Sequence, residues 1–230
     1  MPVVSPQGFQ SLASRYESQD PSAYLAPNTD PSVIAGYTEF QKLHTKMLRS
    51  RDSTFLWLPL ANNPFTLPIN QHITSMGTIN IDPANPNGEP IVDYRALSNP
   101  VDIDIIVELI QFWRRYMRSS DFAQYSPQFI SPKEDMEGEP LRQWVRDNYI
   151  ASVYHPIGTA SKKPKRLGGV VDEELFVHGT KKLRVVDASI MPMLPGANTQ
   201  QTVYMIAEKV CICPRGCVEQ CANRFLRWLI

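Results

Sequence analysis

His155 stands in the segment YHPIGTASKK (Tyr154 to Lys163), between an aromatic residue and a proline. Pro156 has a fixed φ and restricts the residue before it, so the backbone around the imidazole is held. Gly158 and Thr159 then let the chain turn sharply. An imidazole held in this way suits a general base, because proton transfer demands hydrogen-bond contact with the hydroxyl it serves. A histidine in a turn also has a plain structural reading, and on this segment alone both stand open.

A second segment, LRVVDASIMPMLPGANTQQTVYMIAEK (Leu183 to Lys209), adds polar groups at two chain turns. Leu183 to Val186 is apolar and β-branched, which predicts a buried strand of an α/β sheet. Asp187 then falls at its carboxyl end, where such sheets place ligands. Asn198 or Thr199 can cap the helix TQQTVYMIAEK, whose positive end favours an anion. The other candidates read more simply. His44 lies in a helical segment and is expected on its surface. His178, in FVHGTKK, reads as a surface histidine, and His72 begins a strand and could face either way. Gly168-Gly169 reads as a turn rather than a phosphate loop. Four cysteines, Cys211, Cys213, Cys217 and Cys221, crowd the last twenty residues. They lack paired C-x₂-C knuckles and a neighbouring histidine, so a tail of free thiols is the plainer reading and no metal site is expected.

The elements that must position these groups follow from periodicity. Residues 1 to 35, rich in Ser, Pro, Tyr and Asp, read as irregular. Val33 to Arg49 carries Tyr37, Phe40, Leu43, Met47 and Leu48 at helical spacing. Ser53 to Leu60 and Ile73 to Ile81 read as strands, with a turn cluster at Asp82 to Pro90. Pro100 to Ser120 is the clearest helix. Its apolar face comprises Ile105, Ile106, Leu109, Ile110, Trp113 and Met117, and Arg114, Arg115 and Arg118 sit near the end that favours cations. Another helix is expected around EPLRQWVRDNYI. At 230 residues and 43% hydrophobic, the chain can bury a real core. Lys+Arg and Asp+Glu balance at 23 each, so no nucleic-acid partner is expected. No apolar run approaches the roughly 20 residues of a membrane helix. The N-terminus MPVVSPQGFQ lacks the order of a secretion signal, which makes the cytoplasm the default expectation.

HPIGTA, GGVVDEELFVHGTKKLRVVDASIMP and NTQQTVYMIAEK occur in this order and at close spacing. Together they resemble the C-terminal signature of the glucose–methanol–choline (GMC) oxidoreductases, which are FAD-dependent alcohol oxidases and dehydrogenases. ITSMGTINIDPANPNGEPIVDYRALSNPVDIDIIVELI is similar to the start of that family's substrate-binding domain. The resemblance runs from about Pro64 to Lys209. It implies that His155 is the catalytic base and Asn198 its active-site partner on the oxygen of a small-molecule alcohol. It also implies that Asp187, Ala188, Thr199 and Gln200 lie against the flavin of FAD. The fold class expected is α+β. An antiparallel substrate domain with packed helices is joined by a strand–helix segment that returns to an α/β FAD-binding domain.

The chain departs from the family pattern at both ends. After IAEK, where the family helix normally continues, Pro214 and Gly216 would break it. None of its eleven glycines forms the G-x-G-x-x-G turn that meets a dinucleotide pyrophosphate. The expectation is therefore the C-terminal half of a GMC enzyme, with the FAD-binding half supplied by another chain or an upstream segment. Its parts would be a lead-in over 1–60, the substrate domain over 61–160, the return segment over 161–210 and the cysteine-rich tail over 211–230. Two functions stay open on the sequence. One is an alcohol oxidoreductase, as in fungal secondary metabolism. The other is a truncated, non-catalytic or cyclase-like relative that does not turn over a flavin.

Overall fold

Six helices and two antiparallel strand pairs form among the residues described by this computed structural model, 6–58 and 68–212, and the fold is α+β. The chain divides into two compact units, Met1–Val153 and Tyr154–Ile230.

In the first unit, helix α1 (Pro6–Glu17) and helix α2 (Pro31–Arg49) precede strand β1 (Leu56–Trp57), which pairs with β2 (Ile69–Asn70). Strand β3 (Thr78–Asn80) pairs with β4 (Ile91–Asp93), and helices α3 (Pro100–Met117), α4 (Ser120–Ala123) and α5 (Gly138–Asn148) follow. The two long helices open with the same device. Asp30 precedes Pro31 and accepts from the Ser32 amide at 2.8 Å, while Asn99 precedes Pro100 and accepts from the Val101 amide at 3.0 Å. A capping side chain and a proline in the first turn each suit a helix start.

Helix α3 is apolar on two faces, and this organises the unit. Val101, Ile105 and Leu109 pack with Leu12, Ala13, Tyr16, Leu48 and Phe55. Ile103, Ile106 and Ile110 pack with Leu141 and Val145 of α5. The arginines near its end do more than answer the helix dipole. Arg114 donates to the Met136 carbonyl at 2.9 Å, and Arg118 donates to Glu134 at 2.6 Å, anchoring the loop that leads to α5.

Several expectations need correction. Residues 1 to 35 are not uniformly irregular: α1 forms there and buries Leu12, Ala13 and Tyr16. Those three residues, with Phe9, recur at helical spacing, a signal hidden by the surrounding Ser and Pro. His44 is not on the helix surface but fully buried, because α2 turns that side against Tyr16 and Phe55. The strand expected over Ile73 to Ile81 is confined to Thr78–Asn80. Upstream of it the backbone is held by side chains instead. Asp102 accepts from the Thr74 amide at 2.7 Å, the Thr74 hydroxyl at 2.9 Å and the Ser75 amide at 2.8 Å. Of the strand expected over Ser53 to Leu60, Leu56–Trp57 is paired, and residues 59 and 60 lie outside the described part.

Asp102 is fully buried, and burial pushes its carboxyl upward against the opposing pull of these donors. Asp102→Asn keeps one acceptor oxygen and turns an amide N–H₂ on the others. A loss of about 1–3 kcal/mol is expected for a buried donor left without a partner. Urea denaturation at neutral pH measures it. An unchanged midpoint would show that the Thr74–Ser75 segment finds other acceptors.

Among its described residues, the second unit has no wide sheet. Single bridges join Lys162 to Val171, Val171 to Val177 and Phe176 to Arg184. Short 3₁₀ turns span Lys165–Leu167 and Ala188–Ile190, and helix α6 runs over Thr199–Ile212. Val171, Leu175 and Ile190 form its core, with Val185, Val186, Ile206 and Val210 packed against them. The buried strand expected at Leu183 to Val186 is therefore corrected to an irregular segment with one bridge, and Leu183 is 52% exposed. A strand needs a ladder, and here a single bridge joins Phe176 to Arg184, whose guanidinium lies over the Phe176 ring at 4.0 Å. The cysteine-rich tail beyond residue 212 lies outside the described residues. No described helix is long and apolar enough to cross a membrane.

Candidate active site

The first motif builds its own rigid turn. Gly158 has φ +85°, the left-handed region that glycine adopts without a steric penalty. A β-carbon there would stand 3.2 Å from the Met191 carbonyl. The Ser161 hydroxyl donates to the Gly158 carbonyl at 2.7 Å and closes the turn. Tyr154, directly before His155, also has positive φ, at 61°.

The second motif is folded around Asp187. Its carboxylate accepts from the Ser189 amide at 2.8 Å and from the Ser189 hydroxyl at 2.5 Å, which caps the 3₁₀ turn at Ala188–Ile190. That turn packs against α6 through Ile190, Ile206 and Val210. The turn and α6 thus share one apolar cluster.

Main-chain hydrogen bonds then lay one motif beside the other. The Ala160 amide donates to the Ser189 carbonyl at 2.9 Å, and the Lys162 amide donates to the Ile190 carbonyl at 2.8 Å. At the same junction, His155 Nδ1 lies 2.9 Å from Thr199 Oγ1. Thr199 is buried, at 7% exposure, and is the first residue of α6. Asn198 and Gln200, which flank it, are exposed. The structure therefore joins His155 to Thr199. Asp187 and Ala188 stand at the neighbouring turn, and the Asp187 carboxylate is already committed to its own cap.

A hydrogen bond between imidazole and hydroxyl was not legible in the sequence, where His155 and Thr199 stand 44 positions apart. Ser161 was missed as well, although a hydroxyl three residues after Gly158 is the local signal for it. Gly168-Gly169 behaves as a turn. Gly168 has φ +70°, and a β-carbon on Gly169 would fall 1.7 Å from the Lys163 carbonyl. His178 is half-buried and lies 3.2 Å from that same carbonyl through Nε2. Burial pushes the Lys163 amine below its usual range.

Chemically, the arrangement offers a positioned imidazole, an exposed carboxamide one residue from its partner, and the first turn of a helix. That first turn carries N–H groups without intrahelical partners and a positive end. These donors suit an anionic or electron-rich planar edge.

Comparison with known proteins converges on this region. The family model described as GMC oxidoreductase matches residues 74–207, which contain the first motif and all but the last two residues of the second. A dehydrogenase of Armillaria gallica is 35% identical over 140 residues, covering 60% of this chain and 22% of the relative. The structure of an FAD-dependent oxidoreductase from Chaetomium thermophilum superposes with a TM-score of 0.83 at 26% identity, over 90% of this chain and 36% of that one. A fungal aryl-alcohol oxidase superposes with a TM-score of 0.81 at 30% identity, over 87% of this chain and 35% of its own. The chain thus spans between about a fifth and just over a third of the length of these relatives. With the family model covering more than half of it, the chain belongs to the GMC oxidoreductase family.

Proposed function

We propose that this chain carries the proton-transfer side of a flavin-dependent alcohol oxidation. The observation that supports this most directly is the 2.9 Å contact between His155 Nδ1 and Thr199 Oγ1, which brings the two motifs to one place. The aryl-alcohol oxidase among the similar structures supports an aryl or other primary alcohol as the substrate class.

The residues present fit one edge of the cofactor. The start of α6, with Thr199 and exposed Gln200, turns N–H donors and a positive helix end outward, which suits the pyrimidine edge of a flavin. Asp187 and Ala188 would line the adjacent side. The adenine and pyrophosphate portion has no comparable cradle in the sequence, which lacks G-x-G-x-x-G. FAD, when bound, supplies the two-electron acceptor for the hydride of the carbinol carbon. The chain's own residues handle the proton. His155 accepts it from the substrate hydroxyl. The Asn198 amide donates a hydrogen bond to the same substrate oxygen and holds it in line with the imidazole.

The visible absorption spectrum tests this reading. The purified 230-residue chain is expected to retain no stoichiometric flavin. Co-expression with the FAD-binding portion of the Chaetomium thermophilum oxidoreductase is expected to yield a yellow assembly that bleaches anaerobically with benzyl alcohol. Stoichiometric FAD in the chain alone would contradict the one-edge reading. A yellow assembly that no alcohol bleaches would point to the non-catalytic, cyclase-like alternative and overturn the proposal.

A further inference from the structure

We infer that one end of the second unit is a binding site for a phosphate group, centred on half-buried Lys163 in a loop and neighbouring turn that carry five further cations. This site does not depend on the redox reading. Residues 170–172 and 176–178 run antiparallel there. Val171 bridges Val177, the Asp172 amide donates to the Phe176 carbonyl at 3.0 Å, and the His178 amide donates to the Val170 carbonyl at 2.9 Å. The turn that joins these two runs, with Glu173 and Glu174, closes one end. At the other end the loop 163–169 leads in and the turn 179–182 leads out.

Loop and turn are fixed to each other, since His178 Nε2 lies 3.2 Å from the Lys163 carbonyl. The loop is also pinched at its neck, where the Gly169 amide donates to the Pro164 carbonyl at 3.2 Å. This pairing sorts the charges of the stretch. Lys162, Lys163, Lys165, Arg166, Lys181 and Lys182 gather at the open end, and Glu173 and Glu174 stand at the closed end. The Asp172 carboxylate is taken up at that closed end too, accepting from the Glu174 and Phe176 amides at 3.0 and 2.9 Å. The chain as a whole balances 23 cations with 23 anions, so the local excess is a product of the fold.

Among the described residues, no carboxylate forms an ion pair with any of the six. Five of them are exposed, where water screens the charge. Lys163 is different. It is half-buried, and burial with no opposing anion pushes its amine below the usual range. A cation that loses water and gains no counter-charge is costly, and a bound anion removes that cost. Lysine presents a compact point charge with three rotatable donors. A phosphate monoester carries about −2 near pH 7 and offers three acceptor oxygens, so it answers several such charges better than a carboxylate does. Soluble phosphate and a phosphorylated lipid headgroup present this same group.

The test uses the ¹⁵N-labelled 230-residue chain, titrated with sodium phosphate while sodium chloride holds the ionic strength constant. Amide signals of residues 163–169 and 178–182 are expected to shift saturably with phosphate and not with chloride. Lys163→Gln is expected to weaken phosphate binding roughly tenfold, the loss of one hydrogen bond between charged groups. Glu173→Gln, at the closed end, is expected to leave it unchanged. A second arm floats the chain with phosphatidylcholine vesicles that carry either phosphatidylserine or a phosphatidylinositol phosphate, at equal total charge.

Retention on the phosphoinositide vesicles above that on phosphatidylserine, lost in Lys163→Gln, upholds the site with a lipid headgroup as its source. Saturable shifts with phosphate and no such retention uphold it with soluble phosphate as the source. Equal responses to phosphate and chloride, together with equal retention on the two vesicles, would overturn it by reducing the end to general charge. An unchanged affinity in Lys163→Gln would overturn it as well. So would binding of a polyaspartate peptide where neither phosphate source binds, which would give this end to an acidic protein. Should Lys163→Gln fail to fold, the double variant Lys165→Gln, Arg166→Gln changes exposed side chains only and is expected to weaken the same binding.

Discussion

His155→Ala is expected to slow alcohol-dependent bleaching of the flavin-loaded assembly by roughly 100- to 10,000-fold, with substrate affinity nearly unchanged. The imidazole meets the substrate proton chiefly in the transition state, so its loss falls on the chemical step and not on binding. His155 is half-buried, and Pro156, Gly158 and Ser161 hold its turn in addition to the ring's contact with Thr199. Asn198→Ala is expected to be far milder, because one neutral hydrogen bond contributes about 1 kcal/mol, or roughly a fivefold change in rate. Asn198→His should keep partial activity, since both side chains can bond the substrate oxygen. Rapid-mixing measurement of bleaching at saturating alcohol separates these cases. Wild-type rates in His155→Ala would remove the imidazole from the mechanism.

A second large effect is expected from acid on the first unit. His44 is fully buried among the rings of Tyr16, Phe40, Phe55 and His72, at centroid distances of 5.5, 5.5, 5.4 and 6.3 Å. Among the described residues, no well-formed hydrogen bond reaches either of its ring nitrogens. Burial, and then the neighbouring His72, push its pKa down to about 3, with the His72 main chain offsetting only part of this. Burial also lowers His72.

In the unfolded chain a histidine titrates near 6.5. Between that value and about 3, the unfolded state therefore binds a proton that the folded state refuses. Stability is complete above pH 6.5 and falls as the pH drops through this window, by up to about 1.4 kcal/mol per pH unit for each histidine. At pH 4.5 the loss from His44 alone is roughly 3 kcal/mol. Asp102 acts in the opposite sense, because its raised pKa favours the folded state as carboxylates protonate. The contribution of His44 is therefore read as a difference between variants. His44→Phe replaces an unsatisfied polar ring with an apolar one in an aromatic cluster. It is expected to match the wild type in urea at pH 7.5, to exceed it at pH 5, and to show a shallower dependence between them. The same pH dependence in the wild type and in His44→Phe would show that burial does not hold His44 below its unfolded-state value.

The sequence by itself determined the features that depend on near neighbours. Helices α2, α3 and α5 follow from apolar residues recurring every three or four positions, and the first two open on Asp30-Pro31 and Asn99-Pro100. The turn at Gly158 follows from glycine's backbone freedom. Family membership follows from the order of the motifs along the chain. Tertiary structure decided what depends on residues far apart. The face that α2 turns inward carries His44 because α1 packs there, and α1 was itself obscured by the composition around it. Leu183 to Val186 has the composition of a buried strand, yet it makes one bridge, because strand formation depends on ladder partners and not on β-branching alone. The contact of His155 with Thr199 required a 3₁₀ turn, a shared apolar cluster and two main-chain bonds to bring distant residues together. A residue's type sets the chemistry it can do, but which of its atoms meets which partner is a property of packing.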